Sequence, residues 1–174
     1  QGIQGLQGEQ GPKGDTGAQG TGVLPYFGSF YSTQTQTNPV GNVARAMTLN
    51  VTDDSNEINI SSSSRILFNY SGIYNLQFSA QFEKTGGQAR LVNIWLSKNG
   101  QNVPWTDTEI TLSGSSRNVA SWNFVVRINA GEYLELLWTS EDTDVQILAQ
   151  QPTVNPQRPG IPLSLIHISE PTRP

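Results

Sequence analysis

Three acidic groupings and four tryptophans carry most of the chemistry open to this sequence. The groupings are Asp53-Asp54, Asp107 with Glu109, and the run Glu141, Asp142 and Asp144. Two carboxylates flanking a glycosidic bond suffice for glycan hydrolysis, and a loop of oxygen ligands suffices for calcium. All three groupings lie in turn-like polar contexts, where acidic residues commonly serve solubility, so hydrolysis is not expected of them. The run Glu141, Asp142, Asp144 lacks the sixth-position glycine and distal glutamate of an EF-hand. It remains a weak calcium candidate, with a solvated loop favoured. The sequence has no cysteine, and its single histidine, His167, falls in the terminal stretch LSLIHISEPTRP, outside the expected domain. Nucleophile–imidazole pairs, thiolate sites and histidine-ligated metals therefore lack members. The expectation is a non-enzymatic protein with no cofactor.

The tryptophans divide by pattern. Trp122 and Trp138 fall on alternating apolar faces and read as core. Trp95 lies on the face opposite Ile94, with Asn93 and Ser97, which suits an interface or solvent. Trp105 follows Pro104 and precedes TDTE. Sugars stack on exposed aromatic faces, so Trp105, with Asp107 and Glu109, is the receptor-binding candidate. Tyr26, Phe27, Phe30 and Tyr31 lie where the chain enters the domain and are candidates for an apolar trimer contact. Asn50, Asn59 and Asn69 head N-x-S/T sequons, expected by chance in so Asn-rich a chain.

These residues must be positioned by strands. Apolar residues make up 35% of the 174 and charged residues 14%, a balance poor in helix formers. From Val23 to about Pro162, short period-two runs alternate with turn clusters. Tyr74, Leu76, Phe78, Ala80 and Phe82 share a face, as do Val92, Ile94 and Leu96. So do Trp122, Phe124, Val126 and Ile128, and then Leu134, Leu136 and Trp138. Asn99-Gly100 is a hairpin signal. YFGSFYS and ARAMTLNVT read as strands, and DVQILA as the last clear one. With no amphipathic helix, the pattern predicts an all-β antiparallel sandwich or jelly roll. An immunoglobulin-like sandwich would show a Cys…Trp…Cys arrangement, which this chain lacks.

The other end has a different period. Gly2, Gly5, Gly8, Gly11, Gly14, Gly17 and Gly20 recur every third residue. Only glycine fits the axis of three wound polyproline chains, so residues 1–22 read as a collagen-like stalk. Gln1 falls inside a triplet, which predicts an N-terminally truncated fragment. Pro12 is the only proline in the repeat. Lys13 and Asp15, flanking Gly14, offer ion pairs between chains, worth only about 0–1 kcal/mol when exposed. So short a helix needs more stalk upstream or a trimer clamp downstream. The phase breaks at Gly22, and the head, residues 23–162, begins there. Net charge is −4, with no basic cluster for nucleic acid and no apolar run of spanning length.

The order of these motifs resembles a known family. The repeat, then FNYSGIYNLQF, IWLSKNG and INAGEYLELLW, resembles the collagen-stalked head of the C1q/TNF-like proteins. NIWLSKNGQNVPWTDTEITL and ASWNFVVRINAGEYLELLW are similar to heads of fibre proteins in bacteriophages and environmental viruses. The resemblance covers residues 1–162. It implies a ten-stranded jelly-roll homotrimer, a stalk joined to an upstream virion segment, and a host-surface glycan or protein receptor. The alternative is a secreted or surface C1q-like ligand of a cell. Residues 163–174 stand apart. One reverse translation of Leu163–Arg173 resembles, codon for codon, transposase mosaic-end adapter DNA from sequencing libraries. Leu163, Leu165 and Ile168 are expected to imitate a natural closing strand there.

Overall fold

The computed structural model describes residue 1, residues 25–162 and residues 164–169. The glycine repeat with Lys13 and Asp15, Leu163 and the end of the tail lie outside them. Every regular element among the described residues is a strand. In chain order they are β1 (Phe27–Tyr31), β2 (Gln36–Thr37), β3 (Arg45–Ala46), β4 (Val51–Asn56), β5 (Ile58–Ser61), β6 (Arg65–Phe68), β7 (Gly72–Thr85) and β8 (Arg90–Lys98). Then follow β9 (Gln101–Asn102), β10 (Thr108–Leu112), β11 (Ser115–Ile128), β12 (Tyr133–Ser140), β13 (Val145–Ile147), β14 (Thr153–Val154), β15 (Gln157–Arg158) and β16 (Ser164–Ser169).

Two antiparallel sheets face each other. The first runs β2-β13-β7-β16-β1-β4, with β11 along the other edge of β7. The second runs β10-β8-β12-β6-β5, with β3 on β12 and β9 on β8. This is the expected jelly-roll sandwich. Alternation becomes packing most directly in β7, where Tyr74, Leu76, Phe78, Ala80 and Phe82 are all 3% exposed or less. Each large one contributes about 1.5–3 kcal/mol by leaving water. Val92, Ile94, Leu96, Leu134, Leu136 and Trp138 meet them from the second sheet. Asn99 and Gly100 take φ of 51° and 79°, both in the left-handed region that a two-residue type I′ hairpin requires.

Two segments depart from the pattern. Ala44–Thr52 reads as one strand but pairs only at Arg45–Ala46 and again from Val51. Met47 and Leu49 between them still point inward, at 1% and 2% exposed. The Gln36 carboxamide replaces the missing ladder, accepting from Thr48 N–H at 3.0 Å and donating to Thr48 C=O at 2.8 Å. DVQILA is not the last strand either. The tail forms β16 between β1 and β7, paired on both flanks. Among its described side chains, Ile166 and Ile168 are buried, at 1% and 2% exposed.

Candidate functional site

The outer edge of the second sheet is broken at one place. Ser97 pairs with Asn102, and Ile94 with Thr108. Two residues of β8 lie between those partners, against five on the other chain segment, so three residues are extra. Val103 stays in line, its N–H donating to Leu96 C=O at 2.9 Å. Pro104, Trp105 and Thr106 form the excursion. Thr106 closes the gap, its Oγ1 accepting from Leu96 N–H at 3.1 Å and donating to Val103 C=O at 2.8 Å. At the apex Trp105 holds φ 64° and is 102% exposed. A left-handed non-glycine residue costs on the order of 1–3 kcal/mol and persists where its surroundings over-determine it. The fully hydrated indole gains nothing for the core. Folding stability gives no reason to keep either feature.

The neighbours of this excursion are polar and ordered. Asp107 accepts from Asn93 Nδ2 at 3.2 Å, and Glu109 pairs with Asn93 across the ladder. Trp95, half-buried on the same outward face, donates its indole N–H to Asn102 Oδ1 at 2.9 Å. The structure thus gathers Trp105, Asp107 and Glu109 at one sheet edge. Asn93, Asn102 and Thr106 are the members that sequence reasoning missed. The one signal for Thr106 was a hydroxyl two residues after Pro104.

The remaining candidates scatter. Phe30 is 0% exposed, inside the core of its own subunit, and so is not available for a trimer contact. A Cβ on Gly28 would lie 2.4 Å from the Phe30 ring, so that glycine makes room for it. Tyr26 stacks on Tyr70 at 4.5 Å, and Phe27 and Tyr31 are half-buried on the other face of β1. Trp138 is core and Trp122 packs at its margin. His167, expected outside the domain, is exposed in mid-sheet, paired in register with Ser29 and Gln77. Ser29 donates to Asp53 at 3.3 Å instead of to the imidazole.

The acidic run resolves into ion pairs. Asp142 Oδ2 accepts from Arg90 Nε and a terminal guanidinium nitrogen at 3.1 and 2.9 Å. The backbone N–H of Thr143 and then this guanidinium hold its carboxyl below the usual range. Asp144 meets Lys84 at 2.6 Å, and the Lys84 side chain is wholly buried. Cations of the chain thus take two of the three carboxylates weighed for calcium, and Glu141 is exposed. Among the described residues no three acidic or imidazole side chains converge as a metal site would.

The sequence matches no known family profile and none of the curated proteins compared with it. Among solved structures, the fold is similar to that of Eiger TNF from S. frugiperda, at TM-score 0.52 and 11% identity. The match covers 87% of this chain and 96% of that one. At so low an identity the likeness concerns the fold, and the fold is TNF-like.

Proposed function

We propose that this chain is the head of a homotrimeric, collagen-stalked fibre that attaches to a surface receptor, and that it catalyses no reaction. The observation that carries this reading is Trp105, a fully hydrated indole on left-handed backbone, fastened by Thr106. Interface anchors are enriched in tryptophan because one ring covers much area at little entropic cost.

Two features support the trimer. A glycine every third residue serves a helix of three chains. The outward face of the first sheet is also uncharged over a broad strip. Asn75, Gln77, Ser79 and Gln81 of β7 lie beside Val125, Asn123, Ser121 and Val119 of β11. A second copy covers such a strip without desolvating a charge. Three heads on one stalk then multiply weak contacts through effective concentration.

Virion placement rests on the resemblance in motif wording. A secreted or surface ligand of a cell is the second reading, favoured by the fold likeness to a TNF. In both, the tail from Leu163 is read as translated adapter, with a natural strand in its place. Surface adhesion tests the common claim. Trp105→Ala is expected to weaken receptor-bearing cell binding at least about tenfold, roughly 1.4 kcal/mol, with the fold intact by circular dichroism. Adhesion equal to the parent would remove Trp105 from the site and this reading with it.

A further inference from the structure

A second interruption, larger than the first, builds a cleft on the opposite sheet. β13 and β16 lie on one line beside β7. Ile147 pairs with Phe82, Leu148 N–H donates to Gln81 C=O at 2.8 Å, and Ser164 pairs with Ala80. Leu148 and Ser164 thus take adjacent slots, and the described residues between them, 149–162, lie off the line of the sheet. Gln150 and Ile161 close the neck, exchanging both backbone hydrogen bonds at 2.9 Å. Thr35 clasps the exit, its Oγ1 accepting from Ala149 N–H at 3.0 Å. A Cβ on Gly160 would stand 2.8 Å from Gln150 C=O, so the close neck needs glycine. The tip is the β14–β15 hairpin, with Val154 94% exposed.

The opposite wall has its own irregularity. β1 and β4 pair with a register shift after Ser29, where Ser29 meets Asp54 and Phe30 meets Thr52. Asp53 is the extra residue of a β-bulge, a device that re-aims a side chain. Its carboxylate accepts from Ser29 Oγ at 3.3 Å. Further along, Thr33 and Asn50 fix the rim, Thr33 N–H donating to Asn50 Oδ1 at 2.9 Å and Asn50 Nδ2 to Thr33 Oγ1 at 3.0 Å.

Between bulge and excursion lies a cleft of about 460 Å³, within the small-molecule range. Tyr31, Pro152 and Ile161 give it apolar walls, while Asp53, Gln150 and Gln151 bring hydrogen-bonding groups. No lysine or arginine lines it.

We propose that this cleft binds a neutral saccharide. A sugar ring offers a C–H face to Tyr31 and Pro152, and hydroxyls that can donate to Asp53 and exchange hydrogen bonds with the two carboxamides. A carboxylate with no cation among the lining residues disfavours anionic sugars, because like charges repel. The site is separate from Trp105, which stands on the edge of the other sheet, so the two stand or fall apart.

The test uses the full chain, titrated with methyl glycosides of neutral hexoses and N-acetylhexosamines, and with N-acetylneuraminic acid, followed by NMR. At least one neutral glycoside should bind at millimolar concentration and the acidic sugar should not. Asp53→Asn and Gln151→Ala should each weaken binding about tenfold, while Trp105→Ala leaves it unchanged. The proposal is overturned if no neutral glycoside binds, if N-acetylneuraminic acid binds as well, if both cleft variants bind like the parent, or if binding follows Trp105.

Discussion

Trp105 and Lys84 both occupy positions that oppose stability, and each makes a prediction. At Trp105 the left-handed backbone suits glycine, so Trp105→Gly should raise the thermal midpoint. The gain should be on the order of 1 kcal/mol, less any rise in unfolded-chain entropy. A fall in midpoint would mean the indole packs usefully in the free protein. Lys84 is buried to 0% in its side chain, and the Asp144 carboxylate is the group that neutralises it. Asp144→Asn strands that ammonium and should cost about 3–5 kcal/mol, read from urea midpoints. Adding Lys84→Met should restore most of the loss, and a double variant no better than the single would show that the pair is not the cause. Nothing in the alternation identifies Lys84 as core. It occupies an inward slot after Phe82, where the pattern reads as a strand end, and Asp144, in the turn just before β13, makes the slot habitable.

At the scale of elements, the strands were legible because period two is a local property. The two excursions were not. Pro104-Trp105-Thr106 looks like any turn, since whether a chain reverses or rejoins its own line depends on the partner's register, 94↔108 against 97↔102. The bulge at Asp53 was hidden for the same reason, and so was the cleft. Carboxylates fasten the element ends and tie them to pH. Burial alone would raise Glu83, but hydrogen bonds from Arg117 and Gln146 and the Arg117 charge bring it below its ordinary 4.5. Glu132 is lowered chiefly by the backbone N–H of Asn129, against some burial, and then by Lys98. With Asp142, these three have folded values below their unfolded ones. Their stabilisation is therefore complete above about pH 4.5 and is lost as pH falls through the lowered values. The thermal midpoint should decline below about pH 4 and less steeply in Glu83→Gln. A flat profile between pH 5 and pH 2 would contradict the assignment.

At the scale of the whole molecule, the prediction concerns association. The uncharged strip of β7 and β11 is offered as the face that meets a second copy, so a charge in its middle should prevent it. Sedimentation should give a trimer at micromolar concentration for the parent chain and a monomer for Asn123→Arg. A monomeric parent would sink the fibre reading, and a trimeric variant would move the contact elsewhere. Fold class was readable here because an antiparallel sandwich follows from many short alternating strands. Assembly was harder, since Phe30 looked like an interface aromatic and is core. In an aromatic strand such as FGSFY, the parity that decides inside from outside is set by the neighbours.

The placement of β16 also bears on how the protein is made. This strand lies between β1 and β7, so the first and the middle of the chain are joined through residues synthesised after both. While the chain is still growing, β1 and β4 have no partner that links them to β7, and the first sheet exists as two separate pieces. The second sheet, whose last strand in chain order is β12, can assemble earlier. Closure of the first waits for the strand at the β16 position to clear the ribosome, leaving its strand edges open to neighbouring nascent chains. In a polysome those neighbours are copies of the same sequence, with the same unclosed edges.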